Sequence, residues 1–225
     1  MQYWMEYSLY GGYPKVVLAK DFADKQEWLK ELVFSFLKKD VYELGVREKD
    51  KFYKLVRILA SQTGQLLNTN ELSNTLQLAK DTVSRYLHVL QKSFIIRVSP
   101  PFYRNLRKEL TKMPKVYFLD PGYRNQLLNI FGDLSHRPDA GATFENLIFS
   151  ELVKSGVDDI KYWRTQDRNE IDLIVDQRNA YEVKINAAAF SPTKYKTFNT
   201  SYPEMDLRPI VLNDEKMLDV LDVTS

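Results

Sequence analysis

Cysteine is absent from all 225 residues. That excludes disulfides, thiolate zinc sites and cysteine nucleophiles, and it fits a reducing compartment, so a cytoplasmic location is expected. Histidine is almost as scarce. His88 and His136 are the only two, too far apart in the chain to suggest a histidine metal cluster. A metal here would have to be held by oxygen, which points to magnesium, manganese or calcium. No run approaches the roughly 18 uninterrupted apolar residues of a membrane span, and no basic segment leads into an apolar core as in a signal peptide. No membrane partner is expected. Nor does G-x-x-x-x-G-K-[ST] occur anywhere. Gly11-Gly12-Tyr13-Pro14 lacks the lysine and the preceding strand of a phosphate cradle, so ATP is not expected as a cofactor.

With 44% hydrophobic residues the chain can bury real cores, and its length suits two small domains or one large one. The net charge of +2 says little as a total; its distribution says more. Between Lys80 and Lys115, both included, stand nine basic residues against only Asp81 and Glu109. They are interleaved with Tyr86, Phe102 and Tyr103. The pattern suits a phosphate-binding surface, and equally a solvated face with a flexible wing.

Residues 11–14 are a turn signal. The recurrence of Trp28, Leu32, Val33, Phe36 and Leu37 predicts a helix over 24–43, and Phe52, Leu55, Val56 and Leu59 predict another over 52–60, broken by Gly64. Asn70 is placed to cap a short helix over 71–76. A further helix runs from Lys80 or Asp81 to Lys92, with Val83, Tyr86, Leu87 and Leu90 inward. Residues 94–98 and 115–119 read as two strands joined by a basic loop. Helix, turn, helix and two-stranded wing is the winged-helix order. The second helix of such a pair enters the major groove, so Lys80, Thr82, Ser84, Arg85 and His88 are the expected DNA contacts. Arg104, Arg107, Lys108 and Lys112 of the loop extend the surface. Many winged helices bind protein or join domains instead. Asp120-Pro121-Gly122 closes this region, and residues 136–141, polar and non-periodic, read as a linker.

Beyond the linker, Thr143 is placed to cap a helix reaching Lys154, with Glu145 in its first turn. Strands are expected over 160–164, 171–175 and 180–185. Side chains two apart on a strand share a face, so Glu182 and Lys184 point the same way. Pairing Asp176 with Ala180 makes a three-residue loop with Asn179 left-handed, and sets Asp172 opposite Lys184. A slip of one residue would turn Asp172 to the other face. Two carboxylates about 4 Å apart repel by roughly 4 kcal/mol at an effective dielectric near 20. Glu145, Asp172 and Glu182 together therefore call for a cation, partly Lys184 and partly a divalent ion. Magnesium or manganese on Asp172, Glu182 and Glu145 would activate water and polarise a phosphate, with Lys184 stabilising developing charge. The plainer alternative is charged residues paired across exposed strands.

Several ordered phrases carry a resemblance: Tyr10 to Pro14 (YGGYP), Lys115 to Asp120 (KVYFLD), Phe144 to Asn146 (FEN), Tyr162 to Arg164 (YWR), Glu170 to Asp172 (EID) and Glu182 to Lys184 (EVK). Together they resemble the C-terminal half of a prokaryotic AAA-type ATPase family, whose members carry a P-loop ATPase domain followed by this region. In that family the last module resembles the PD-(D/E)XK nuclease superfamily. The resemblance places Asp172, Glu182 and Lys184 on the signature and Glu145 on the acidic residue of its first helix. The aspartate follows isoleucine here rather than proline. The resemblance implies that the chain starts where the family's ATPase would have ended. A helical remnant is then expected over 1–45, a winged helix over 46–135 and a restriction-endonuclease-like mixed-sheet domain over 136–225, an α+β or α/β fold class. Trp4, Tyr7 and Tyr10, having lost a neighbour, are expected to be exposed or to form a homo-oligomer contact.

Three functions follow. One is a metal-dependent nucleic-acid phosphodiesterase acting on DNA gripped by the winged helix. The second is an inactive DNA-binding or adaptor module that partners an AAA-type ATPase, and the third a purely protein-interacting half that docks onto such an ATPase.

Overall fold

The computed structural model describes residues 2–37, 45–103, 112–165, 167 and 169–212. The fold is mixed α+β, and the chain divides into two compact units. The first comprises Met1–Val98 with Val116–Arg137, the second Ser99–Lys115 with Pro138–Ser225. The later division falls inside the polar linker. No division falls near residue 45, because α1 (Gln2–Tyr10) and α3 (Phe22–Ser35) pack on α7 (Pro121–Leu128).

In the first unit, two phrases far apart in sequence meet at one carboxylate. Asp120 precedes α7 as its N-cap and accepts from Tyr123 N at 2.8 Å. Its other oxygen accepts from Gly12 N, also at 2.8 Å. Gly11, at φ +72°, adopts the left-handed conformation glycine tolerates, and a Cβ there would overlap the Asp120 carboxylate. A Cβ on Gly122 would overlap the Tyr10 carbonyl. Burial and the Asp120 charge push the Tyr13 phenol up to about 12. The Tyr10 ring stacks on Phe22 and on Phe131 at 5.4 Å each and is buried, so it is core and not the exposed residue expected. Trp4 and Tyr7 are half-buried and meet edge to face at 6.1 Å.

After α2 (Pro14–Val17), Asp21 accepts from Asp24 N and starts α3 two residues before the expected point. The continuation past residue 37 lies outside the described residues. Helix α4 (Lys49–Ser61) buries Phe52, Leu55, Val56 and Leu59 as its spacing requires. Helix α5 (Thr69–Leu76) is capped by Asn68 rather than Asn70, whose own amide is one of the two that Asn68 Oδ1 accepts. Helix α6 (Lys80–Lys92) turns Val83, Tyr86, Leu87 and Leu90 into the same core. Strands β1 (Ile96–Ser99) and β2 (Lys115–Phe118) then pair. The expected strand start at Phe94 is instead a helix terminus. Phe94 N donates to Gln91 O and Ile95 N to Leu90 O, with Phe94 at φ +54° and 76% exposed. Those two bonds close the helix in the position that glycine usually fills.

In the second unit, α8 (Ala140–Lys154) packs on a four-stranded sheet, β3 (Ile160–Arg164), β4 (Glu170–Val175), β5 (Asn179–Lys184) and β6 (Asp206–Val211), in that order. Thr143 is not the cap. The helix starts three residues earlier, and Thr143 Oγ1 donates back to Asp139 at 3.3 Å. Strands β3, β4 and β5 are antiparallel, and β6 adds parallel to β5. The hairpin loop has three residues as expected, shifted by one: Val175 pairs Asn179, and Asp176 and Gln177 take the positive φ assigned to Asn179. Both loops are odd, so the parity of the strands is kept. A short helix, α9 (Lys196–Ser201), brings Phe198 against Trp163, Ile171 and Ile174. Among the described residues no helix is long and apolar enough to cross a membrane.

Gly122→Ala is expected to lose about 2–3 kcal/mol in urea unfolding, because backbone meets the new methyl and cannot step aside. Phe94→Gly is expected to gain roughly 0.5–1 kcal/mol, since relieving a left-handed L residue returns more than glycine's unfolded freedom removes. An unchanged or lower unfolding midpoint for that variant would refute the strain at residue 94.

Candidate functional site

The hairpin register decides which side chains of the second unit meet. Leu173 pairs Tyr181, and one step further Asp172 stands level with Glu182. Both carboxylates are buried, at 8% and 3% exposure. Lys184, two residues beyond Glu182 on the same face, reaches into them. Its Nζ lies 2.5 Å from Glu182 Oε1, 3.2 Å from the Val183 carbonyl and 3.7 Å from Asp172 Oδ2. Asp172 Oδ2 also accepts from Val183 N at 2.8 Å. Three of the four expected site residues therefore converge.

Glu145 is placed differently. Its Oε1 pairs with Lys115 Nζ at 3.0 Å, and Lys115 also binds Glu170 at 2.5 Å. Lys115 is 1% exposed and sits 5.5 Å from the Tyr162 ring centroid. Glu145 still contributes to the field at Lys184. Among the described residues, no three His, Cys, Asp or Glu side chains stand together as a complete metal site.

The electrostatics follow from burial. Glu182 is pushed above the usual carboxylate range, first by desolvation and then by Asp172, against the pull of Lys184. Burial alone would lower the Lys184 ammonium, but Asp172 and Glu182 outweigh it and hold the amine charged. Glu182 Oε2 is buried and has no hydrogen-bond partner. Tyr195 Oη is likewise buried and without one. The two are close enough to be coupled: the Tyr195 phenol is pushed up by burial first and by Glu182 next, although they stand outside hydrogen-bond geometry.

These donors fit a hard divalent ion. Lys184 Nζ is already ringed by three oxygens, from Glu182, Val183 and Asp172, and one ammonium leaves two buried carboxylates short of a full positive partner. Asp172 and Glu182 are the side chains that would hold magnesium or manganese, with Glu145 in reserve behind its pairing to Lys115.

Sequence reasoning missed Lys115 and Tyr195 as site residues. Lys115 opens a strand whose four residues are all buried, so a lysine there signals a buried partner. Tyr195 follows Ser191, Pro192, Thr193 and Lys194, a stretch with no periodicity to read.

On α6, Lys80, Ser84, Arg85 and His88 are exposed and Thr82 half-buried. Lys92 extends the same exposed face, and Lys112 is exposed. Arg104, Arg107 and Lys108 lie outside the described residues. A cavity of about 550 Å³ in the first unit, lined by Gln26, Lys30, Phe34 and Gln126 among others, contains none of these side chains.

Uncharacterized proteins of Mycobacterium bovis and Mycobacterium tuberculosis are each 32% identical over 172 residues, 75% of this chain and 39% of theirs. One from Haemophilus influenzae is 30% identical over 193 residues, 82% of this chain and 45% of its own. The chain thus spans less than half the length of these curated relatives. No solved structure gives a significant match. Residues 140–221 match a domain of unknown function, DUF4143. Residues 1–134, more than half of the chain, match another, DUF8612, and by that match the protein belongs to the DUF8612 family.

Proposed function

We propose that the second unit is a metal-dependent, nucleic-acid-cleaving module of the PD-(D/E)XK type and that α5, α6, β1 and β2 of the first unit form a winged helix that holds duplex DNA. The observation that carries this reading is the convergence of Asp172, Glu182 and Lys184 with one buried Glu182 oxygen unpartnered. A divalent ion bound there would polarise a phosphate and lower the pKa of a water. The chain's own residues do the rest. Asp172 is oriented by the Val183 amide, Glu182 by its place in the buried face of β5, and Lys184 carries the positive charge toward which a phosphorane's oxygens would turn. The strand and helix bodies around them keep bulk water from the two carboxylates.

Incubating the protein with duplex DNA and magnesium or manganese is expected to give cleavage. Lys184→Ala should slow it roughly 10²–10³-fold, and Asp172→Ala should reduce it to background. Absence of cleavage by the wild type, or equal cleavage by Asp172→Ala, would end the catalytic reading.

A second reading is supported by the exposed basic face of α6: a non-catalytic DNA-binding or adaptor module that works with an AAA-type ATPase, a kind of domain DUF4143 often accompanies. On either reading phosphate contacts release counterions, so DNA affinity should fall steeply with salt. Arg85→Ala is expected to weaken binding across sequences and to lower the salt slope by about one, measured by anisotropy titration. A slope unchanged by Arg85→Ala would remove α6 from the interface.

A further inference from the structure

Two of the buried polar atoms without partners are Glu182 Oε2 and Tyr195 Oη, and they are complementary. An ionised carboxylate oxygen only accepts, whereas a phenol hydroxyl carries a proton to donate. Glu182 already spends Oε1 on Lys184, so Oε2 is the oxygen left to be held. The phenol is not free to wander. Its ring is 3% exposed, stacks on Phe190 at 5.3 Å and belongs to the cluster of Trp163, Ile174 and Phe198. The ring packs with Ile174, which shares the strand face of Asp172, and the hydroxyl lies near enough to Glu182 for each group to act on the other. No other described residue offers Oε2 a bond.

We propose that Tyr195 is a positioning residue for Glu182: its hydroxyl donates to Glu182 Oε2 and fixes the carboxylate so that Oε1 and Asp172 are presented to a divalent cation. The inference rests on the metal-site reading above and adds to it a residue outside the Asp172, Glu182 and Lys184 set. A carboxylate ligand bound through one oxygen is oriented by whatever holds the other, and removing such an outer partner typically weakens metal binding about 10–100-fold. Tyr195 lies beyond the strands, at the end of the turn Pro192–Tyr195, so the loop after β5 becomes part of the site.

The test titrates the full chain with manganese alone, following bound ion by electron paramagnetic resonance. Wild type is expected to bind, and Tyr195→Phe to bind about tenfold more weakly. Tyr123→Phe removes a buried tyrosine hydroxyl in the first unit and is expected to bind as wild type does. If wild type binds and Tyr195→Phe matches it, Tyr195 does not position Glu182, while the Asp172 and Glu182 reading stands. If wild type binds no manganese, both fall. A second measurement needs no metal: thermal unfolding of Tyr195→Phe, Glu182→Gln and the double variant. Coupling between the two positions is expected, the double variant losing less than both single losses combined. An additive result, or a Tyr195→Phe more stable than wild type, overturns the hydrogen bond.

Discussion

Two carboxylates buried on one face of a hairpin, with one ammonium between them, set the terms for the second unit. Like charges at such range cost several kcal/mol even at an effective dielectric near 20, and Lys184 answers only part of that. The hairpin keeps them together because its three-residue loop fixes the parity of β4 against β5, and the apolar neighbours Ile171, Leu173 and Ile174 leave that register no low-cost alternative. The strain therefore appears not in the backbone but in ionisation. Glu182 is driven toward its protonated form and Lys184 is held charged, opposite responses to the same crowding.

Asp120 shows what a structural carboxylate looks like in the same protein. It is as buried as Asp172, yet each oxygen accepts a backbone amide, one from Gly12 and one from Tyr123. Both its oxygens are held, the bare Cα of Gly11 admits it, and it joins the 11–14 turn to α7. Glu182 has one oxygen on the Lys184 amine and the other without a hydrogen bond. That contrast separates a carboxylate whose two oxygens are both held by backbone amides from one whose second oxygen is not held.

Much of this could be read before any coordinates. Apolar spacing located α4, α6 and β3 to within a few residues, because each buries one face and the pattern repeats at its natural period. The shared face of Asp172, Glu182 and Lys184 was also legible, even though the pairing was displaced: moving the loop by one residue slides the register by two, and a slide of two preserves the face. What escaped notice had weak local signals. Asn68 takes the cap of α5 in place of Asn70 because the helix begins at Thr69, two residues before the expected start. Strand β6 carries Asp206, Arg208 and Pro209, mostly outward, so no alternation marks it; Pro209 is tolerated at the sheet edge, where one side needs no amide. Tyr10 was misjudged because its stacking partners, Phe22 and Phe131, come from distant parts of the chain.

The sequence-family limits and the physical units do not coincide, and the difference bears on the site. The match over residues 140–221 omits residues 99–115, which belong to the second unit. That excursion supplies Pro100 and Phe102, whose backbones bond Tyr162 along the outer edge of β3. It also supplies Lys115, the buried ammonium shared by Glu145 and Glu170. A chain cut at the family limit would lose the ammonium that Glu145 and Glu170 share, and Glu170 would keep its pairing with Arg164 at 3.3 Å. Removing one partner of a buried ion pair typically costs 3–5 kcal/mol, more than the pair's own net worth, because the remaining charge has lost water as well. The acidic site of the second unit is thus held in balance by a lysine that precedes it by thirty residues, from Lys115 to Glu145. Its ionic structure is a property of the discontinuous unit and not of the contiguous stretch that carries Asp172, Glu182 and Lys184.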